Sequence, residues 1–116
     1  MEKTKLTKKE LKKIEKREIN RKFKEWAELV KERDGNKCVI CGNPKRLNAH
    51  HIIGRHDKYL RFDIKNGISL CPFHHRLNRE FSAHFGSFNF ILWLIENRPE
   101  QVEYLKSKCS LYNLVN

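Results

Sequence analysis

No run of about eighteen apolar residues occurs in the chain, which excludes an ordinary membrane-spanning helix. The opening residues, Met1-Glu2-Lys3-Thr4-Lys5, contain no apolar stretch of the signal-peptide kind. Repeats and low-complexity tracts are missing too, so a repeat architecture is not expected. Apolar residues are limited, at 39% against 34% charged, and 116 residues allow one domain with a modest core. Such a chain gains from a metal staple. These absences lead us to expect a cytoplasmic protein with no membrane partner. In a reducing compartment its four cysteines favour metal binding over disulfides.

Acidic residues are scarce in one region only. Residues 1–35 carry 13 basic and 8 acidic groups, and residues 86–116 carry 3 of each. Residues 36–85 carry 9 basic and only 3 acidic groups, and contribute +6 of the net +11. A positive field so placed fits a bound polyanion. For the N-terminal arm alone, a merely solvated basic face explains the charge equally well.

The chain reads as three segments: a basic helical arm (1–35), a chemical centre (36–85) and a C-terminal helical segment packing on it (86–116). Thr7-Lys8-Lys9-Glu10 has the form of a capping box, so a helix should start near Lys8. Ile19, Phe23, Trp26 and Val30 share one face of it, and Asp34-Gly35 supplies the stop. Extended pieces are expected at Arg46–Ile53 and Gly67–Leu70, joined by a basic loop, Gly54–Lys65. Pro72 should open a helix running to about Ser82. Phe88–Ile95 is apolar nearly all round and predicts a helix capped by Ser87, and Pro99 should open another through about Lys108.

All six histidines fall between positions 50 and 84, interleaved with cysteines. Cys38 and Cys41 form half of a tetrahedral zinc site, and Cys71 with His74 repeats the spacing. A closed Cys3His site follows, with Cys109 as the alternative to His74. His50, His51, Asn66 and His75 are then left over. Adjacent histidines on a strand, here His50 and His51, point to opposite faces, so one can ligate a metal while the other serves a different role if the strand is bent or bulged there. His75 directly follows the zinc half-site, which would fix its position. The bland reading makes these ordinary surface histidines.

From Lys37 to Glu80 the sequence resembles the HNH endonucleases, the zinc-containing branch of the ββα-metal nucleases. The resemblance rests on Cys38-x2-Cys41, Ala49-His50-His51-Ile52, Asn66-Gly67-Ile68-Ser69-Leu70-Cys71 and His74-His75. Gly54-Arg55 and Tyr59–Asp63 are also similar to small phage-type members such as the NinG group, which would place the protein in a bacterial or phage-infected cell. The resemblance implies an α+β fold: a zinc-stapled, treble-clef-like ββα core, flanked by the basic N-terminal helix and the C-terminal helices. It implies His50 and His75 as ligands of a catalytic divalent ion, His51 as general base, and Asn66 as a brace that orients His51 through amide hydrogen bonds. With two protein ligands that ion would be Mg²⁺ or Mn²⁺. The substrate would be DNA, held at its phosphates by Arg55, Lys58, Arg61, Arg76 and Arg79, and the enzyme a monomer or weak homodimer.

One departure stands out. Many relatives carry another histidine one turn after the last ligand, and this chain has Arg79 there. His84 could approach the site from the helix end, but a packing or surface role is expected of it, and His56 is expected to touch the backbone or solvent. Two other function classes remain open: a non-catalytic zinc module that binds nucleic acid, which would require nothing of His50, His51, Asn66 and His75, and an adaptor docking through its basic arm and apolar helices.

Overall fold

The computed structural model describes residues 5–109. The expectations for residues 1–4 of the arm and 110–116 of the C-terminal segment lie outside the described residues.

Helix α1 spans Lys8–Arg33 and starts where the sequence marks it. Thr7 Oγ1 accepts from the Glu10 N–H, and the Glu10 carboxylate accepts from the Thr7 N–H, which closes the capping box. From Lys8 to Glu18 every residue is exposed, so the first turns project. Packing begins at the half-buried Ile19 and Phe23 and is complete at the buried Trp26 and Val30. This face rests on a two-stranded antiparallel sheet of β1 (Asn48–His51) and β2 (Gly67–Leu70). Strand β1 is shorter than the expected Arg46–Ile53, since Arg46 has φ +55° and turns the chain into the strand. In the register, His50 lies opposite Ile68 and His51 opposite Gly67. Gly67 is required sterically: a Cβ there would lie 2.4 Å from Val30 Cγ2 and 2.6 Å from Trp26 Cζ2.

The helix stop has a second use. Asp34 closes α1, and its buried carboxylate accepts from the β2 backbone at Ser69 (2.9 Å) and from Arg33 and Arg98. Burial works to raise the Asp34 carboxyl, but the two guanidiniums and the Ser69 N–H outweigh it and hold it below the ordinary carboxylate range. One side chain thus joins the end of α1, the second strand and the turn between the last two helices.

Those are α2 (Ser87–Asn97) and α3 (Pro99–Lys108). Phe90 and Leu94 of α2 enter the core with Cys38, Ile68, Leu70 and Cys71. Phe88, Ile91, Leu92 and Ile95, also apolar, remain exposed, so the helix is not buried all round. Ser87 does not cap α2. The cap residue is Gly86, and it is Ser82 Oγ that accepts from the Phe85 and Gly86 N–H groups just ahead of the helix.

The largest departure lies after β2. Instead of a helix to Ser82, the chain makes a single π-helical turn, Phe73–Leu77, closed by the Asn78 N–H on the Phe73 carbonyl. It then doubles back, with Ala83 N–H on the His74 carbonyl and His84 N–H on the His75 carbonyl. Asn78 Oδ1 takes the N–H groups of Glu80 and Phe81, an alternative to continuing the helix that only a short amide side chain offers.

Candidate active site

Two groups of metal-competent side chains flank the sheet. The first is Cys38, Cys41, Cys71 and His74, whose donor atoms lie within 4.8 Å of one another. Cys38 Sγ is 3.7 Å from His74 Nδ1, Cys41 Sγ is 3.7 Å from Cys71 Sγ, and Cys71 Sγ is 3.4 Å from His74 Nδ1. Tetrahedral zinc, with bonds of about 2.3 Å to sulfur and about 2.0–2.1 Å to nitrogen, sets its donors roughly 3.5–3.8 Å apart. The donor set and spacing therefore fit a closed structural site. Cys109, the alternative ligand, caps α3 and lines an apolar groove with Ile91, Ile95 and Val102.

The first cysteine pair sits in a tight knuckle, with Cys38 N–H on the Asn43 carbonyl, Gly42 N–H on the Cys38 carbonyl, and Gly42 at φ +81°. Burial opposes ionisation of the Cys38 thiol, but backbone N–H groups of Cys71, Cys41 and Ile40 outweigh it and lower its pKa. Cys71 is pushed up to about 11, chiefly by burial and then by the neighbouring thiols. A cation among the sulfurs would remove that conflict.

The second group is built on the two faces of β1. His50 points to the side of the π turn, where its ring centroid is 5.2 Å from that of His75, 4.9 Å from His84 and 5.8 Å from Phe90. The donor atoms of His50, His75 and His84 also lie within 4.8 Å of one another. His84 is exposed, as expected, and it also approaches this group, the less favoured placement on sequence grounds. The doubling back of residues 78–84, which periodicity cannot show, brings its Nε2 to 3.0 Å from His75 Nε2. Burial, then the nearby imidazoles and Arg76, pushes His50 down to about 3. Burial, then His84 and Arg76, pushes His75 down to about 4. Both are neutral at pH 7, with lone pairs available to a metal. The set fits a divalent ion.

His51 points the other way, as the strand period requires. Its ring stacks on Trp26 at 3.8 Å and 8°, and meets Phe23 edge-on at 5.6 Å. Its Nε2 is 2.9 Å from the Arg61 carbonyl. A carbonyl only accepts, so Nε2 carries the proton and Nδ1 is the free base. Burial lowers the His51 pKa and the Arg55 charge lowers it further, against the opposing Arg61 carbonyl.

Asn66 is fully buried and braces the loop as expected, though it makes no hydrogen bond to His51. Its amide donates to the carbonyls of Ile53 (2.9 Å) and Leu60 (3.1 Å), and its Oδ1 accepts from the Ile53 N–H (2.7 Å). It ties the start of the basic loop, at Ile53, to its middle, at Leu60, and the loop then presents the Arg61 carbonyl to His51. The orientation is therefore indirect.

Of the predicted phosphate contacts, Arg55, Lys58, Arg76 and Arg79 are exposed. Arg61 is half-buried, with its guanidinium over Phe62 at 5.2 Å and its buried Nε without a partner. Arg55 lies over Phe23 at 5.3 Å, on the His51 side, while Arg76 stands by the histidine group. Arg79 is outside that group, and His56 is exposed.

Residues 38–88 match the family model of the HNH endonucleases. No curated protein and no solved structure is significantly similar to the chain.

Proposed function

With residues 38–88 an HNH endonuclease segment, we propose that the protein is a metal-dependent endonuclease that hydrolyses DNA phosphodiester bonds to 5′-phosphate and 3′-hydroxyl ends. The observation that carries this reading is the division of labour across one strand. His50 joins His75 on one face of β1, and His51, with a free Nδ1, stands on the other. Hydrolysis of a phosphodiester needs a base for the attacking water and a cation at the phosphate, and two adjacent imidazoles with different surroundings can divide those roles.

The roles follow from this arrangement. His50 and His75 would hold the catalytic divalent ion, which would supply charge stabilisation at the phosphate and the leaving 3′ oxygen. His51 Nδ1 takes the proton from the attacking water, helped by a pKa already below its ordinary value. Trp26 and the Arg61 carbonyl fix the plane and tautomer of that ring. Asn66 is a positioning residue that holds the loop carrying Arg61. Arg55, Lys58 and Arg61 on one side and Arg76 and Arg79 on the other would position the backbone through its phosphates. Cys38, Cys41, Cys71 and His74 would hold structural zinc. His75 adjoins that site, so the scaffold reaches the chemistry within one residue.

Supercoiled-plasmid cleavage with added divalent ion or EDTA, comparing wild type with His51→Ala, tests this reading. We expect metal-dependent nicking by wild type and its loss in the variant, with DNA binding retained. Binding without cleavage by the wild type under every metal condition would replace the nuclease with a nucleic-acid-binding zinc module.

A further inference from the structure

We propose that His84 is the third protein ligand of the catalytic ion, and that the resulting carboxylate-free, three-imidazole site takes a late first-row divalent ion, of the Co²⁺, Ni²⁺ and Zn²⁺ kind, in preference to Mg²⁺. The inference rests on the nuclease reading for the word catalytic, but the site itself stands on geometry.

His84 reaches the group by a built route. After the π turn, Asn78 Oδ1 gathers the N–H groups of Glu80 and Phe81 and turns the chain. Ser82, fully buried, accepts from the Phe85 and Gly86 N–H groups. Asn89 of α2 donates to the Glu80 carbonyl at 2.7 Å. Gly86 lets the returning chain pass close to the turn, since a Cβ there would lie 2.4 Å from the Phe81 backbone nitrogen. The His84 N–H on the His75 carbonyl then sets the two residues side by side. Backbone and side-chain bonds thus deliver His84 to its place.

The nitrogens also lie as a metal would require. His84 Nε2 and His75 Nε2 are 3.0 Å apart, and two donors about 2.1 Å from one octahedral ion, at right angles, are about 3.0 Å apart. His50 stands within reach of both. His84 thus reaches the group by a chain reversal and not by continuation of a helix.

Ligand chemistry sets the preference. The group contains no carboxylate. Mg²⁺ demands oxygen donors and keeps much of its water, whereas imidazole suits later first-row ions. Two histidines and an oxygen-rich shell leave the choice open towards Mg²⁺ or Mn²⁺; a third imidazole moves it away from Mg²⁺.

The test uses the full chain with one zinc already bound and needs no DNA. Ni²⁺ and Mg²⁺ are titrated calorimetrically into wild type, His84→Ala, His75→Ala and, as a control, His56→Ala. Zinc content and thermal melts establish that each variant is folded; His84 is exposed, so its removal should leave both unchanged. Wild type should bind one equivalent of Ni²⁺, far more tightly than Mg²⁺. Loss of His84 should weaken Ni²⁺ by about tenfold or more, the scale at which even outer partners of a metal site act. His56→Ala should match wild type. Unchanged Ni²⁺ affinity in His84→Ala beside a loss in His75→Ala would overturn His84 as a ligand while leaving the nuclease reading intact. Mg²⁺ binding as tight as Ni²⁺ in wild type would overturn the preference. Failure of the nuclease reading would look different: the Ni²⁺ pattern would hold, and plasmid would remain uncut.

Discussion

The Cys38–Cys41–Cys71–His74 group and the His50–His75–His84 group lie on neighbouring parts of the chain, yet only the first reaches into the core. Cys38 and Cys71 are 1% exposed and belong to the hydrophobic core with Ile68, Leu70, Phe90 and Leu94. Of the histidine group, His50 and His75 are half-buried and His84 is exposed. A metal held by thiols that belong to the core would replace apolar packing that a small chain cannot otherwise supply, and so would contribute to folding. A partly open imidazole site adds little to the core and leaves room for a substrate. The two lie next to each other in the chain at His74 and His75. Two core thiols, Cys38 and Cys71, distinguish the first group, since Cys41 is exposed and His74 half-buried like members of the second.

The most severe way to break this comparison is Cys38→Ala. It should remove the zinc and, with it, the cooperative thermal melt, because the side chain is both ligand and core. A retained melt with one zinc bound would show the thiolate group to be dispensable and erase the distinction. His51→Ala should separate the two roles cleanly. Cleavage should fall by about 10²–10⁴-fold, the usual contribution of a general base, while the melt and DNA binding persist; an active, folded variant would remove His51 from the mechanism.

Gly67→Ala probes the wall behind His51. The added methyl meets Val30 and Trp26, so denaturant melts should show a loss of about 1–3 kcal/mol, typical of overpacking. A neutral result would mean that α1 is not seated on β2 as described. The finest effect concerns pH. His51 must be neutral to act, so the rate should fall on the acid side of a pKa lying below the ordinary 6.5. Arg55 contributes to that lowering. Arg55→Gln should therefore shift the acid limb of the single-turnover rate to higher pH, and an unmoved or downward-shifted limb would count against the electrostatic contact.

Much of the framework was legible because its signals are local. Thr7 and Glu10 announce the start of α1, Pro99 opens α3, and the strand Gly67–Leu70 begins and ends where its residues indicate. The Cys38–Cys41 and Cys71–His74 spacings named four side chains that gather closely enough to hold a metal, and strand alternation separated His50 from His51. The path from Phe73 to Gly86 was not legible. Helix propensity after Pro72 favours continuing, but the side chains of Asn78 and Ser82 take backbone N–H groups that a helix would have used. A signal was present, since Asn and Ser compete with helix for the backbone, but nothing local says that the chain then returns to His75. The brace role of Asn66 was found and its partners were not, for its bonds to Ile53 and Leu60 span a loop whose closure depends on packing. The central position of Asp34 could be read only as a helix stop.

By itself, then, the sequence determined the members of the Cys3His group, the opposed faces of His50 and His51, the basic character of the loop and the family to which residues 38–88 are matched. Each of these depends on spacing, strand period or composition, which are properties of neighbours along the chain. Tertiary structure alone decided that His84 joins His50 and His75, that the Arg61 carbonyl selects the tautomer of His51, and that Asp34 ties α1, β2 and the turn before α3 together. Those contacts join residues that meet only after the chain has reversed. Their partners are chosen by burial and by the need to satisfy buried polar groups, which no local pattern records.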